Sequence, residues 1–259
     1  MEEVKNMLKE LTGKRYVYLK ARGNYAIRDA LQQVKGEKIL VQDQGGWLRY
    51  LDYPPKYGLF VEKLRTNHGI IELEDLKEKN SKADAILYED PAGYIAEQPV
   101  EEIYKLCRKK RCKVILDITG SIGYSKFVGT SDIIIASFGK EKPVNMGYGG
   151  LVAADEPLEL TEDFDLNYSQ KLLSHLKQLH NNQHFLHEKA KAVKEELKNH
   201  KVIHRNHDGI NVAVAFDTDA QRDELISYCE KKSIPYTICP RYIRVLRDAV
   251  CIEIKKLLS

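Results

Sequence analysis

The stretch Ser131 to Ala154, SDIIIASFGKEKPVNMGYGGLVAA, restricts the chain more than any other. Ile133, Ile134 and Ile135 predict a buried strand, Ser137 opens a turn, and Lys140 and Lys142 follow. Gly147, Gly149 and Gly150 then predict a tight hairpin into a second apolar strand, Leu151 to Ala154. In an α/β protein the end of a strand is where a ligand sits. A lysine held there loses its proton by desolvation and becomes an amine nucleophile toward a carbonyl. The Ser137 hydroxyl and the glycines, which let backbone approach closely, suit a bulky planar aldehyde carrying a phosphate.

The chain upstream supplies the rest of such a sheet. Val4, Met7, Leu8 and Leu11 mark a helix from Glu2 to Leu11, stopped by Gly13, and Tyr16 to Leu19 reads as a short strand. Ala21-Arg22-Gly23-Asn24 follows, with Asn24 as the expected N-cap of a helix Tyr25 to Val34. A strand, a Gly turn and a helix start point free amides at an anion, or simply connect two packed elements. Lys38 to Val41 is a strand, and Gly45-Gly46-Trp47 comes directly after it. The only tryptophan is therefore expected either over a planar ring or packed under a loop with Tyr50 and Tyr53. Leu59 to Val61 is a further strand, and Gly69 to Lys77 holds a turn and a short helix.

Asp84 to Tyr88 is a strand, Val100 to Lys109 a helix, and Val114-Ile115-Leu116 a fully apolar strand ended by Asp117. An acid in that position is costly unless something pairs with it. Asp117 is therefore either a turn cap or a carboxylate aimed at a protonated ring nitrogen. Arg108-Lys109-Lys110-Arg111 closes a helix where cations suit the macrodipole, and it lacks the interleaved aromatics of a nucleic-acid surface. Apolar runs separated by crossovers, rather than alternation, imply a mostly parallel sheet covered on both faces. Such a sheet brings Gly23, Asn24, Trp47, Asp117, Ser137 and Lys142 to one edge.

Residues 1–160 are thus expected to form a large domain, and 161–259 a long helix with a small α+β domain. No Pro or Gly interrupts Leu166 to His200, although a break is allowed near Asn181-Asn182. His180, His184 and His187 share one helix face, which fits a polar or subunit-contact surface better than a metal site, since no acidic partner motif accompanies them. Strands are expected at Lys201 to His204, Ile210 to Phe216, Tyr242 to Leu246 and Val250 to Ile254, with a helix from Asp219 to Lys232. Arg241, Arg244 and Arg247 are surface charges or carboxylate receptors.

Composition excludes several classes. With 41 basic and 38 acidic residues the net charge is only +3, so no global field points to nucleic acid. No apolar run approaches membrane-spanning length and no leader pattern opens the chain, and five cysteines without a CxxC pair read as reduced thiols. A cytoplasmic protein is expected.

The pattern Ser137-Phe138-x-x-x-Lys142-x-x-x-x-Gly147-x-Gly149-Gly150 resembles the signature of the DegT-type, nucleotide-sugar aminotransferase branch of fold-type I pyridoxal phosphate enzymes. Val114 to Asp117 is similar to that family's strand ending in the acid that pairs with the pyridine nitrogen. Ala21-Arg22-Gly23-Asn24 with Ala30-Leu31 is similar to its phosphate-binding turn and helix, and Gly93-Tyr94-x-x-x-Gln98-Pro99 to the segment between. The resemblance covers residues 1–155 and implies a three-layer α/β fold, pyridoxal 5′-phosphate as cofactor, an amine or amino-acid substrate and a homodimer. Position by position it implies Lys142 as the lysine joined to the cofactor and Asp117 as the partner of the ring nitrogen. Ser137, Gly23 and Asn24 would hold the phosphate and Trp47 would stack on the ring. Ser137-Phe138-Gly139-Lys140 also resembles the S-x-x-K of the aspartate-aminotransferase branch, which would select Lys140 instead. The chain departs from the DegT pattern at Gly120, Ile122 and Tyr148, where Gln, His and Glu are usual. A lyase of the same fold and a non-catalytic, partner-binding relative are the alternatives to an aminotransferase.

Overall fold

The computed structural model describes residues 1–124, 127 and 129–258. In chain order the strands of the first half are β1 (Tyr16–Lys20), β2 (Lys38–Gln42) and β3 (Phe60–Leu64), then the small hairpin β4 (Thr66–Asn67) and β5 (Ile70–Ile71). They continue with β6 (Ala85–Glu89), β7 (Lys113–Asp117), β8 (Ile133–Ser137) and β9 (Gly150–Ala154). Seven of them form one sheet in the order β1-β9-β8-β7-β6-β2-β3. The run from β8 to β3 is parallel, and β9 lies antiparallel to both neighbours.

Alternation along each strand divides the core between two layers of helix. The helices are α1 (Glu2–Thr12), α2 (Gly23–Gln32), the single turn α3 (Arg49–Asp52), α4 (Leu73–Lys79), α5 (Val100–Lys109), α6 (Ser169–Glu196) and α7 (Asp219–Lys231). Ile39, Val41, Leu87, Ile115 and Ile135 pack against Ala26, Ile27, Ala30 and Leu31 of α2. Leu40, Ile86, Leu116 and Ile134 face the other way, onto Leu8 of α1, Leu76 of α4, Ile103 of α5 and Leu176 of α6. Strands buried on both faces can be apolar throughout, which is why the sequence shows runs here. This is the three-layer α/β arrangement expected from the sequence.

The remaining strands, β10 (Lys201–Val202), β11 (Val212–Ala215), β12 (Tyr236–Cys239) and β13 (Ala249–Ile252), form an antiparallel sheet in the order β10-β11-β13-β12. Leu186, Ala190 and Val193 of α6 and Leu225 of α7 cover it. Three expectations change. The strand beside β13 is Tyr236–Cys239, not Tyr242 to Leu246. That later segment turns back on itself, with the Arg241 amide donating to Val245 O at 2.8 Å, and it docks on the first half, where the Gly45 amide donates to Tyr242 O. Helix α2 starts at Gly23, with Arg22 as N-cap, because the Asn24 side chain is engaged by the Trp47 indole. Helix α6 runs unbroken for 28 residues through Asn181-Asn182.

The basic run Arg108 to Arg111 is exposed at the end of α5. His180 and His184 are exposed and His187 stacks on Tyr124 at 3.5 Å, so the face is divided between solvent and an aromatic contact. Among the described residues no three metal-ligating side chains gather, and no helix is long and apolar enough to cross a membrane.

Candidate active site

A cleft of about 560 Å³ opens at the carboxyl ends of β6, β7 and β8, bordered also by Thr237 of β12 and by residues of the segments that follow β12 and β13. Gly23, Asn24, Trp47, Asp117, Ser137 and Lys142 all line it. The parallel sheet is the reason. Its strands end together, so side chains far apart in sequence meet at one edge.

Asp117, the last residue of β7, is buried on the cleft floor. Its Oδ2 accepts from the Tyr50 hydroxyl at 2.7 Å, and its Oδ1 accepts from the Thr119 amide at 2.8 Å and the Thr119 hydroxyl at 2.5 Å. The Thr119 oxygen in turn accepts from the Ser137 amide at 2.9 Å, which ties the ends of β7 and β8 together. Burial raises the Asp117 pKa, opposed by these hydrogen bonds and by the Lys142 charge. Asp117 is therefore oriented by its neighbours rather than capping a turn alone.

At one side of the cleft α2 begins. Its first amides, Gly23 and Asn24, have no carbonyl one turn back within the helix, so this end favours an anion. Gly23 lies so close to β8 that a Cβ there would sit 2.5 Å from the Ser137 Cβ and 2.7 Å from its Oγ. Only glycine lets the helix start reach the serine. Trp47 stands next to it, 39% exposed, its Nε1 donating to Asn24 Oδ1 at 3.0 Å. The indole is thus on the cleft wall, while Tyr50 is occupied with Asp117.

The two lysines separate clearly. Lys140 is exposed at the rim. Lys142 reaches inward, its Nζ donating to the Tyr94 hydroxyl at 2.6 Å and lying 4.7 Å from the Tyr94 ring centre. Burial lowers its pKa, partly opposed by Glu89, with Arg244 lowering it further. An inward amine that releases its proton more readily than an ordinary lysine is what nucleophilic addition to a carbonyl requires.

Tyr94 also explains one departure from the family pattern. A Cβ on Gly120 would meet the Tyr94 ring at 2.7 Å, so the tyrosine takes the volume where a side chain would otherwise stand. Tyr148 has a structural task. It stacks on Tyr168, and its hydroxyl accepts from the Asp165 amide at 3.0 Å.

Glu89, Tyr50, Thr119, Tyr94, Glu253 and Lys255 were given no role in a site from sequence, Tyr50 entering only as a packing partner and Tyr94 only within a resembling segment, yet all six border this chemistry. Glu89 pairs in register with Asp117, and period-2 pairing from an acid already singled out is the one signal that could have found it. The arginine group divides three ways. Arg244 is buried and forks onto Glu253 at 2.8 and 2.8 Å, Arg241 borders the cleft, and Arg247 reaches Asp217 at 3.4 Å.

Burial, and then the Asp117 charge, raises the Glu89 pKa from 4.5 to about 8. Between those values the folded chain keeps a proton that the unfolded chain has released, so stability falls as pH rises through that window. Urea unfolding of the cofactor-free protein at about pH 5 and about pH 8 should show this loss, and Glu89→Gln should flatten it. An equal pH dependence in both proteins would remove Glu89 as its source.

Comparison with known proteins agrees with the fold. Residues 180–259 match the MJ1341 family C-terminal domain. No curated protein sequence matches the chain. Among solved structures, serine palmitoyltransferase from S. paucimobilis with a bound PLP–myriocin adduct is 16% identical, with a TM-score of 0.76 over 97% of this chain and 70% of that one. Cysteine desulfurase from Thermococcus onnurineus NA1 is 14% identical, with a TM-score of 0.73 over 99% of this chain and 81% of that one. Alanine–glyoxylate aminotransferase from Nostoc sp. is 13% identical, at 0.73 over 97% and 80%. The chain therefore has the fold of the fold-type I pyridoxal-phosphate-dependent enzymes.

Proposed function

We propose that this chain is a pyridoxal-phosphate-dependent enzyme acting on an amine or amino acid, and specifically an aminotransferase. The observation that carries the reading is Lys142, a half-buried amine inclined to lose its proton, facing a cleft with a buried carboxylate on its floor and a helix start at its side. The residues present fit the group. The volume lies within the range of cofactor sites, the open end of α2 and Ser137 suit a phosphate, and Asp117 suits a protonated ring nitrogen. Bound pyridoxal phosphate would supply an aldehyde and an electron-withdrawing ring.

The chain's own residues would do the rest. Gly23, Asn24 and Ser137 hold the phosphate, Trp47 covers a ring face, and Asp117, fixed by Tyr50 and Thr119, keeps the nitrogen's proton in place. Lys142 carries protons on its Nζ, steadied by Tyr94. The spacing from Ser137 that the DegT branch uses selects Lys142, and its inward position supports that choice over Lys140. The five cysteines are all buried, and none lines the cleft, which favours transamination over chemistry that needs a thiol beside the substrate. The test is an absorbance spectrum after mixing with pyridoxal phosphate. A red-shifted band that borohydride abolishes is expected, and a spectrum equal to that of free cofactor would refute the reading.

We also propose a homodimer with the cleft near the subunit boundary. Tyr25, Trp47 and Leu48 expose apolar surface together, and Trp47 belongs to the cleft wall. Dimerisation and cofactor retention should then be linked. Sedimentation at micromolar concentration should give a dimer with cofactor and a weaker one without. A monomer that still holds the cofactor tightly would contradict the shared cleft.

A further inference from the structure

Three cations surround the Tyr94 ring: Lys142 at 4.7 Å, Arg244 at 5.2 Å and Lys255 at 5.2 Å from its centre. They are not equally committed. Arg244 gives Nε and Nη2 to the two oxygens of Glu253 and Nη1 to Ile243 O at 2.6 Å. Glu253 also accepts from Asn211 at 3.1 Å, so the Arg244 charge is already matched within this pair, with two of its five N–H groups outside these bonds. Lys255 differs. Its side chain is only 5% exposed, yet its nearest acceptor is the Glu141 carbonyl at 3.4 Å, with the Glu141 and Glu253 carboxylates at 3.8 and 3.9 Å. A buried ammonium held only by one long hydrogen bond and two long ion pairs is incompletely compensated, and this one borders the cleft.

We propose that Lys255 is the receptor for an anionic group, a carboxylate or phosphate, on the substrate handled at Lys142. This rests on reading Lys142 as the reactive amine of the cleft. Lys255 is chosen over the arginine because the Arg244 charge is paired with Glu253 at 2.8 Å, whereas the Lys255 ion pairs are long. The charge balance points the same way. Burial, the Lys142 charge and the Arg244 charge hold the Lys255 pKa down at about 8, against Glu253 and Glu141. An anion bound at Lys255 would offset those neighbouring positive charges and hold an attached aldehyde in the cleft that Lys142 enters.

The test uses the full-length protein after removal of any bound cofactor with hydroxylamine. Aldehydes are trapped on Lys142 with cyanoborohydride: the lysine nitrogen bonds to the aldehyde carbon, the oxygen leaves as water, and hydride reduces the C=N bond. Labelling is mapped by mass spectrometry and normalised to Nα-acetyllysine. Glyoxylate is compared with acetaldehyde, succinic semialdehyde with butanal, and glycolaldehyde phosphate with propanal. At least one anionic aldehyde should label Lys142 about tenfold faster than its neutral match, and the pair that does so names the anion and its distance. Lys255→Met should abolish the preference, and Lys255→Arg should retain most of it. No preference in the wild type, a preference kept in the Met variant, or equal loss in both variants overturns the proposal while leaving Lys142 as the reactive amine. Failure of every aldehyde to label Lys142 overturns both.

Discussion

Borohydride treatment of the protein mixed with pyridoxal phosphate is expected to leave the cofactor's mass on the peptide carrying Lys142. Lys140→Ala should label normally and Lys142→Ala should not label at all. Turnover of the Ala variant should fall at least ~10²–10⁴-fold, the range for losing a positioned acid–base group. The reason lies in the contrast between two lysines two residues apart. Lys140 is at the rim in water, whereas Lys142 is turned inward onto Tyr94. Because burial lowers the Lys142 pKa, labelling should reach half its limiting rate below the ordinary lysine value of about 10.4. A label on Lys140, or a half-point at the ordinary value, would reverse the assignment.

Asp117→Asn is expected to separate catalysis from stability. Turnover should drop ~10²–10³-fold, the size of effect seen when one preorganised electrostatic partner is removed. The cofactor-free protein should keep its melting temperature. Burial already disfavours the Asp117 charge in the folded chain, and an asparagine can still accept from Thr119 and hydrogen-bond to Tyr50. Calorimetry and steady-state rates on the same preparation decide it. Unchanged turnover would reduce Asp117 to a local cap for β7, and a large loss of melting temperature would make its role structural.

The six residues placed in the site from sequence share one visible property: each ends or follows a strand, or starts a helix. Strand ends are readable because apolar runs and turn residues are local. For the same reason β7, β8 and α5 were legible, as were the existence of a long helix after Leu166 and the two covered sides of the central sheet. Errors arose where distant groups compete for a local one. Asn24 reads as a cap until Trp47, 23 residues away, takes its side-chain oxygen. Tyr242 to Leu246 reads as a strand until its backbone bonds to Gln44 and Gly45.

The class of sheet, the edge at which ligands gather and a short roster of chemical side chains were thus determined by the sequence alone, through periodicity and strand termini. Which lysine points inward, that Tyr50 and Thr119 hold Asp117, that Tyr94 fills the space over Gly120, and that Glu253 matches the Arg244 charge while Lys255 has only long contacts were decided only by the tertiary structure. Those are questions of direction, burial and partnership between residues up to about 200 positions apart, and no local pattern encodes them. Packing settles them because a buried polar group must find its partner wherever the fold has placed one.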